Sequence, residues 1–405
     1  MEVVYERCCG LDIHKASITA CVIIGSKKEI RTFGTMTDDL LQMTAFLKER
    51  SVQMTAMEST GSFWKPIFNV MEMEGVSAIL VNAAHIKNVP GRKTDVKDAE
   101  WIADCLKHGL LKASFVKPRD QRELCELIRY RGSLIEERAR EYNRMGKVLE
   151  GANIKLTSVV SKMDTVSGMD MIKALIDGVE DPRVLASMAK GTMRSKREQL
   201  VRALNGLVAP HQKMILKAML EHIEQLGKSI EGLNAEIEKR MSRDIELIEA
   251  LDEITGVGEI SAQTILAEIG TDMSRFPSAE HLASWACMCP ETKESAGKKK
   301  SAKTKKANST LKKTLVQCGR AAGNSKDTYL SSLYQRIAAR RGAKKAAVAV
   351  GHAILVIIYH MIQNRTRYND LGADYFRQRN KDVLVRQNVQ RLHALGYNVI
   401  LEEVA

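Results

Sequence analysis

Two stripes of apolar residues constrain the middle of this chain more tightly than any other feature. Leu124, Ile128, Ile135, Tyr142, Met145 and Leu149 recur at steps of three and four or their sums, as do Ile215, Met219, Ile223, Leu226, Ile230, Leu233, Ile237 and Met241. A 3.6-residue period gathers each set on one helix face, so two long amphipathic helices are predicted. Such helices either fold back on each other as an intramolecular hairpin or pair with another protomer as a coiled coil. The pattern leaves both open.

Upstream of the stripes the chain reads as strands. RCCGLDIHK, ASITACVIIG and KEIRTFGTM, between Tyr5 and Thr35, are enriched in β-branched residues and predict a three-stranded meander with a Gly-Ser-Lys-Lys turn. A helix from about Asp38 to Arg50, a strand VQMTAMES, a helix from about Phe63 to Glu74, a strand SAILVN and a helix from about Asp95 to Lys107 follow. Strands alternating with helices predict a mixed α/β sheet. Beyond the long helices a third region starts at Ile248, contains LDEITGVGEISAQTILAEIG and a lysine run, and closes on an apolar helix from Ala346 to Ile362. The expected class is therefore α/β plus α, with a mixed-sheet domain over 1–118, a helical coiled-coil or oligomerisation region over 119–247, a mostly helical domain over 248–376 and a tail over 377–405.

Charge narrows the partner. The 405 residues carry 62 Lys and Arg against 49 Asp and Glu, a net +13, and such an excess attracts a polyanion, nucleic acid first. No lipidation motif or amphipathic anchor accompanies it, and the apolar helix at 346–362, interrupted by Gly351, His352 and His360, is short of the roughly 20 residues of a membrane span. No signal peptide is recognisable, so a cytoplasmic, nucleoid-associated protein is expected. The eight cysteines lack disulfide or zinc-module spacing; Cys287 and Cys289 read as small buried hydrophobes.

Four carboxylates stand out. Asp12 lies on the first strand in GLDIHK, Glu58 ends the fourth in AMESTG, and Asp95 and Asp98 sit three apart at a helix start in GRKTDVKDAE. If the first and fourth strands are neighbours, Asp12 and Glu58 emerge near the middle of one sheet, as in nucleases of the ribonuclease H type. Converging carboxylates repel unless cations neutralise them, and hard oxygen donors select Mg²⁺ or Mn²⁺. Two such ions about 3.5–4 Å apart clamp a phosphodiester. Singly, each has a plainer reading: Asp95 as a helix cap, Asp12 and Asp98 as solvated charges, Glu58 as a partner of Lys65. The set is more specific than its members.

In the third region, Gly256 and Gly258 in ITGVGEISAQTILAEIG give the spacing of a helix-hairpin-helix, whose amides meet a DNA phosphate; a plain helix-connecting turn fits nearly as well. Between Glu291 and Arg320 ten basic residues, Lys293, Lys298, Lys299, Lys300, Lys303, Lys305, Lys306, Lys312, Lys313 and Arg320, face only Glu291 and Glu294. Lying between apolar helices, the run reads as a phosphate-binding loop. Ser295, in KESAGKKK, sits inside it; a serine in such a loop is more often a hydrogen-bonding residue than a nucleophile.

The order Asp, Glu, Asp-x-x-Asp within GLDIHK, ESTG and GRKTDVKDAEWIADCLKHG resembles the DEDD transposases of the insertion sequence 110 family, and FPSAEHLASWACMCPETKESAGKKK through NSTLKKTL is similar to their C-terminal domain with its reactive-serine motif. That resemblance implies a RuvC-like first domain in which Asp12, Glu58, Asp95 and Asp98 bind Mg²⁺, and Ser295 as nucleophile, with Ser301 as the alternative. It also implies a site shared between protomers of a homodimer or homotetramer, donor and target DNA, and a guide called a bridge RNA. The expected activity is a transposase that cuts and rejoins DNA through a phosphoserine link, without ATP, in keeping with the missing GxxxxGK[ST] loop. Two competitors remain: a metal-dependent Holliday-junction-type endonuclease that uses water, and a non-enzymatic nucleic-acid scaffold. His14 and His85 are given local structural roles.

Overall fold

A computed structural model describes residues 2–59, 61–82, 98–160, 162–290, 294–295, 298–299, 309–379 and 381–400. The chain divides into two compact units, 1–120 and 121–405.

The first unit is a six-stranded sheet in the order β3-β2-β1-β4-β5-β6. Its strands are β1 (Arg7–Ile13), β2 (Ile18–Ile24), β3 (Lys27–Phe33), β4 (Met54–Glu58), β5 (Ala78–Val81) and β6 (Ala113–Ser114); its helices are α1 (Thr37–Glu49), α2 (Trp64–Met73) and α3 (Asp98–Lys107). The meander pairs antiparallel, β1 runs parallel to β4 and β4 to β5, and β6 closes the far edge antiparallel. The two-residue alternation expected from the sequence sorts side chains onto two faces. Cys9, Leu11, Val22 and Met57 pack with Leu40, Phe46, Ile67 and Met71 of α1 and α2, while Cys8, Cys21, Ile23 and Ala56 pack beneath Trp101, Ile102 and Leu106 of α3. The mixed sheet with covered faces is the RuvC-like α/β arrangement.

The second unit is helical. Its frame is α4 (Arg119–Gly151, 33 residues) and α9 (Pro210–Arg240, 31 residues). These run antiparallel within one chain: Arg240 pairs with Glu123 at 3.0 Å, Arg131 donates to Asn234 Oδ1 at 3.2 Å, and Leu134 packs with Leu226 and Ile230. The apolar stripes are largely consumed by this chain's own packing: Ile128, Met145, Leu149, Ile223, Leu226, Ile230, Ile237 and Met241 are buried, although Ile215 stays 42% exposed. The hairpin alternative left open by the periodicity is therefore present intramolecularly.

Between the long helices the chain makes α5 (Leu156–Val159), α6 (Val166–Ile176), α7 (Pro182–Ser187) and α8 (Arg197–Ala203), whose Leu156, Met171, Leu175, Leu185 and Leu200 close a core over Met145, Leu149, Leu216 and Leu220. Thr165 caps α6 by accepting from the Gly168 amide at 3.2 Å, and Asp181 with Pro182 starts α7.

The remaining core is built by α10 (Ile245–Asp252), α11 (Glu259–Ile269), α12 (Ala279–Trp285), α13 (Ser309–Asn324), α14 (Tyr329–Arg341) and α15 (Ala343–Asn364), with the foot of the long-helix pair, Cys125, Ile128, Ile237 and Met241, in the same cluster. A two-stranded hairpin, β7 (Glu294–Ser295) with β8 (Lys298–Lys299), follows α12, and α16 (Tyr375–Arg379) and α17 (Lys381–Ala394) end the chain. By length and hydropathy α15 is apolar enough to cross a membrane, but Val350, Ile354, Leu355 and Ile358 are fully buried in this core, and Tyr359 donates to the Phe276 carbonyl at 3.0 Å. Core packing accounts for its composition.

Two polar links fasten α4 to α11. Arg129 grips Glu268 with bonds of 2.8 and 3.0 Å, and the buried Arg131 donates to Gln263 Oε1 at 2.6 Å. Burial pulls the Arg131 guanidinium below its ordinary range, the acidic Glu259 and Glu238 opposing that pull.

Gly256, in the turn between α10 and α11, has φ +87°, and a Cβ there would stand 2.5 Å from the Cys318 carbonyl and 2.6 Å from the Ala322 amide. The backbone of α13 thus lies directly on this turn. Gly256→Ala is expected to cost about 2–4 kcal/mol, combining left-handed strain with overpacking, read as a lowered denaturation midpoint in urea.

Candidate active site

The site is built from strand ends. Leu11 pairs with Met57 in the parallel register, so one step on Asp12 stands beside Glu58 at the C-terminal ends of two central strands. Asp12 also pairs with Thr19 of β2. By alternation Asp12 shares the face of Cys8 and Gly10, and Glu58 that of Ala56, which is the face that α3 covers. Asp98 is the first residue of α3, in the turn where a carboxylate suits the helix dipole. Three of the four expected acidic residues therefore lie at one end of one face. The fourth, Asp95, lies outside the described residues, as does His85.

Gly10 decides how close α3 comes. A Cβ on Gly10 would stand 2.2 Å from the Ala99 carbonyl and 2.4 Å from the Ala103 amide, so helix backbone rests on strand backbone one residue after Asp98. Gly10→Ala must lift the start of α3. We expect a loss of about 1–3 kcal/mol in unfolding free energy, and a fall in DNA processing that exceeds any fall in DNA binding, checked by thermal melting beside both assays.

Neighbouring charges are differentiated. Glu100, two residues beyond Asp98, is held by Lys28 Nζ at 2.7 Å, which raises the lysine's affinity for its proton and assigns this carboxylate to holding α3 on the sheet. Asp12 Oδ2 lies 3.2 Å from His14 Nε2; the Asp12 side chain is 28% exposed and the imidazole 68% exposed. Among the described residues no three His, Cys, Asp or Glu side chains are grouped closely enough to hold a metal ion. The donor chemistry of Asp12, Glu58 and Asp98, carboxylate oxygen only, fits a hard divalent cation.

Three cysteines of the first unit, Cys8, Cys21 and Cys105, do not compete as nucleophiles. All eight are free and all but Cys289 are buried; burial pushes the thiols of Cys8, Cys21 and Cys105 up to about 11. At neutral pH they remain protonated. Cys287 is a buried residue with φ +53°, at the turn leaving α12.

In the second unit, Ser295 lies on β7, its backbone in antiparallel register opposite Lys298, with Glu294 opposite Lys299. The sequence predicts a loop here; the described residues pair as two short antiparallel strands. Lys293, Lys300, Ser301, Lys303, Lys305 and Lys306 lie outside the described residues. Gly258 is the exposed N-cap of α11, with open space where a Cβ would be, whereas Gly256 is taken up against α13. Beside the start of α11 a cleft of about 370 Å³ is lined by Arg129, Ser133, Ser261, Thr264, Thr310 and Lys313, with Lys313 ion-paired to Glu136. Periodicity could not have found this cleft, because its polar residues come from three separate helices.

A sheet with carboxylates at adjacent strand ends, followed by a helical region, defines the class as a RuvC-like α/β protein. Residues 9–154 match the model of the DEDD transposase domain of the insertion sequence 110 group, and residues 248–335 match that described as "Transposase IS116/IS110/IS902 family". The chain belongs to the insertion sequence 110 family of transposases. It is similar to a protein of Pseudomonas aeruginosa described as "Probable family 20 transposase", 22% identical over 336 residues covering 81% of this chain and 89% of that one. It is also similar to the transposase for insertion sequence element IS1328 of Yersinia enterocolitica, 23% identical over 284 residues, covering 69% and 74% respectively.

Proposed function

We propose that this transposase cuts and rejoins DNA through a covalent link to Ser295, with Asp12, Glu58, Asp95 and Asp98 as the ligands of Mg²⁺ or Mn²⁺. The observation that carries the reading is the placement of Asp12 and Glu58 side by side on the face covered by α3, whose first residue is Asp98. When bound, the cation supplies positive charge against the phosphodiester oxygens that become more negative during transfer. Asp12 and Glu58, fixed at the ends of β1 and β4, would hold it together with Asp95 and Asp98.

Ser295 Oγ attacks phosphorus, a P–Oγ bond forms, and the bond from phosphorus to one sugar oxygen breaks. The serine proton leaves and a proton is taken up by the sugar oxygen, so the DNA ends in a hydroxyl. Attack by the hydroxyl of another strand reverses these steps and restores the serine. Bond energy is conserved in the link, so no nucleotide hydrolysis is needed. Lys298, Lys299, Lys300, Lys303, Lys305 and Lys306 would neutralise the backbone near the serine, with Gly258 presenting the α11 N-terminus to a phosphate and Gly256 shaping the turn. In this reading donor and target DNA are the substrates, a bridge RNA selects them, and two or four copies assemble so that one supplies the carboxylates and another the serine.

Incubating the protein with donor and target DNA, the element's noncoding RNA and Mg²⁺, then resolving it on a denaturing gel, tests the reading. A covalent protein–DNA band that needs Ser295 and Asp12 is expected. Free cut ends with no band, unaffected by Ser295→Ala, would assign the chain to water-driven nucleases instead.

A further inference from the structure

The helices α13, α14 and α15, which are 16, 13 and 22 residues long, contain no Asp or Glu at all. At the chain's average of 49 acidic residues in 405 they would carry about six. They carry eight cations instead: Lys312, Lys313, Arg320, Arg336, Arg340, Arg341, Lys344 and Lys345. Four of these, Arg340, Arg341, Lys344 and Lys345, fall within six residues at the corner where α14 turns into α15 through Gly342, and all four are exposed. The Gln335 side chain donates to the Gly323 carbonyl at 3.1 Å, which brings the last turn of α13, one turn beyond the exposed Arg320, beside α14.

Several exposed cations elsewhere in this unit are matched: Arg240 with Glu123 and Glu236, Lys173 with Glu224, Lys213 with Glu180. The ion pairs at the edges of this helical layer, Lys313 with Glu136 and Arg367 with Glu253, leave the corner out. Arg340 and Arg341 have a local reason to be where they are, since cations favour the C-terminus of α14. Lys344 and Lys345 have the opposite: they sit in the first turn of α15, where the helix dipole repels them, and beside two arginines of the same sign. Packing does not require them, because burial in this turn begins at Ala346. A ligand of high negative charge density removes both penalties.

We infer that the α14–α15 corner is a second DNA contact, which takes the phosphate backbone of duplex DNA. The aromatic side chain at the corner, Tyr334, is half-buried against Gly323 with its hydroxyl donating to the Ala343 carbonyl at 3.4 Å, so the corner can neutralise phosphates but offers no open platform for stacking unpaired bases. A rigid, one-signed surface of this kind suits the regular phosphate rows of a duplex. The inference rests on the reading that the chain acts on DNA, but not on the chemistry of Ser295.

The test is the full-length protein with Arg340, Arg341, Lys344 and Lys345 all changed to Ala, titrated with fluorescent duplex DNA at several salt concentrations. Affinity should fall at least about tenfold, and the slope of log K against log salt should become shallower by about 3 to 4, one neutralised phosphate per cation. The thermal midpoint of Lys344→Ala/Lys345→Ala should stay level or rise, since a dipole conflict is removed, which separates lost contact from lost fold. At DNA concentrations above its weakened Kd, the quadruple variant should still form the Ser295 adduct if the wild type does. A wild type that forms no adduct would remove the serine mechanism and leave the contact intact. An unchanged salt slope on duplex DNA would overturn the inference. So would a loss confined to single-stranded RNA or to vesicles of anionic lipid.

Discussion

Ser295→Ala is expected to abolish the covalent protein–DNA band and to lower strand joining by at least about 10⁴-fold, while DNA binding and thermal unfolding stay at the wild-type level. The size follows from the role: without an oxygen to bond phosphorus, no adduct conserves the energy of the cut strand. The fold should tolerate the change, because the β7–β8 pairing is made by backbone groups and alanine supports it as well as serine does. The thiols of Cys8, Cys21 and Cys105 cannot substitute as nucleophiles, since burial pushes each up to about 11. Gel detection of the adduct, time courses of joining and a melting curve on the same preparation check the three parts together. Joining that persists in the variant would transfer the chemistry to Ser301 or to water.

Asp12→Ala should remove both adduct and joining, by at least about 10³-fold, since even outer partners of a metal ligand cost roughly 10–100-fold when lost. Stability should move the other way or not at all. Asp12 stands beside Glu58 on the neighbouring strand, and like charges there repel. Among the described residues its ion-pair partner is His14 at 3.2 Å, which is largely solvated, and such pairs contribute about 0–1 kcal/mol. A protein that melts at or above the wild-type temperature, binds DNA and forms no adduct is the expected outcome. An adduct of normal yield would detach the acidic face from the reaction.

Much of the first unit was legible because strand alternation is a local property. RCCGLDIHK and ASITACVIIG carry their two faces in consecutive residues, and the meander forms as expected over Arg7–Phe33. The conditional step, that Asp12 and Glu58 meet if the first and fourth strands are neighbours, needed the parallel pairing of β1 with β4, which joins residues more than forty positions apart. Residues 156–203 escaped notice since their helices are short, between 4 and 11 residues, and too brief to show a period. Gly256 was read for its amide; its close approach to α13, some sixty residues downstream, has no local signature.

Periodicity, charge and residue order by themselves determined that a mixed sheet precedes long amphipathic helices, that the partner is a polyanion, and that four carboxylates and a serine recur in the order of a known transposase family. Each is carried by neighbouring side chains or by composition, and neither depends on how distant segments pack. Tertiary structure alone decided that the two apolar stripes bury one another within a single chain, and that α3 rests on Gly10 and brings Asp98 to the face of Asp12 and Glu58. Those outcomes turn on contacts between residues far apart in the chain, where burial of area and backbone approach select one pairing among many that the same pattern allows.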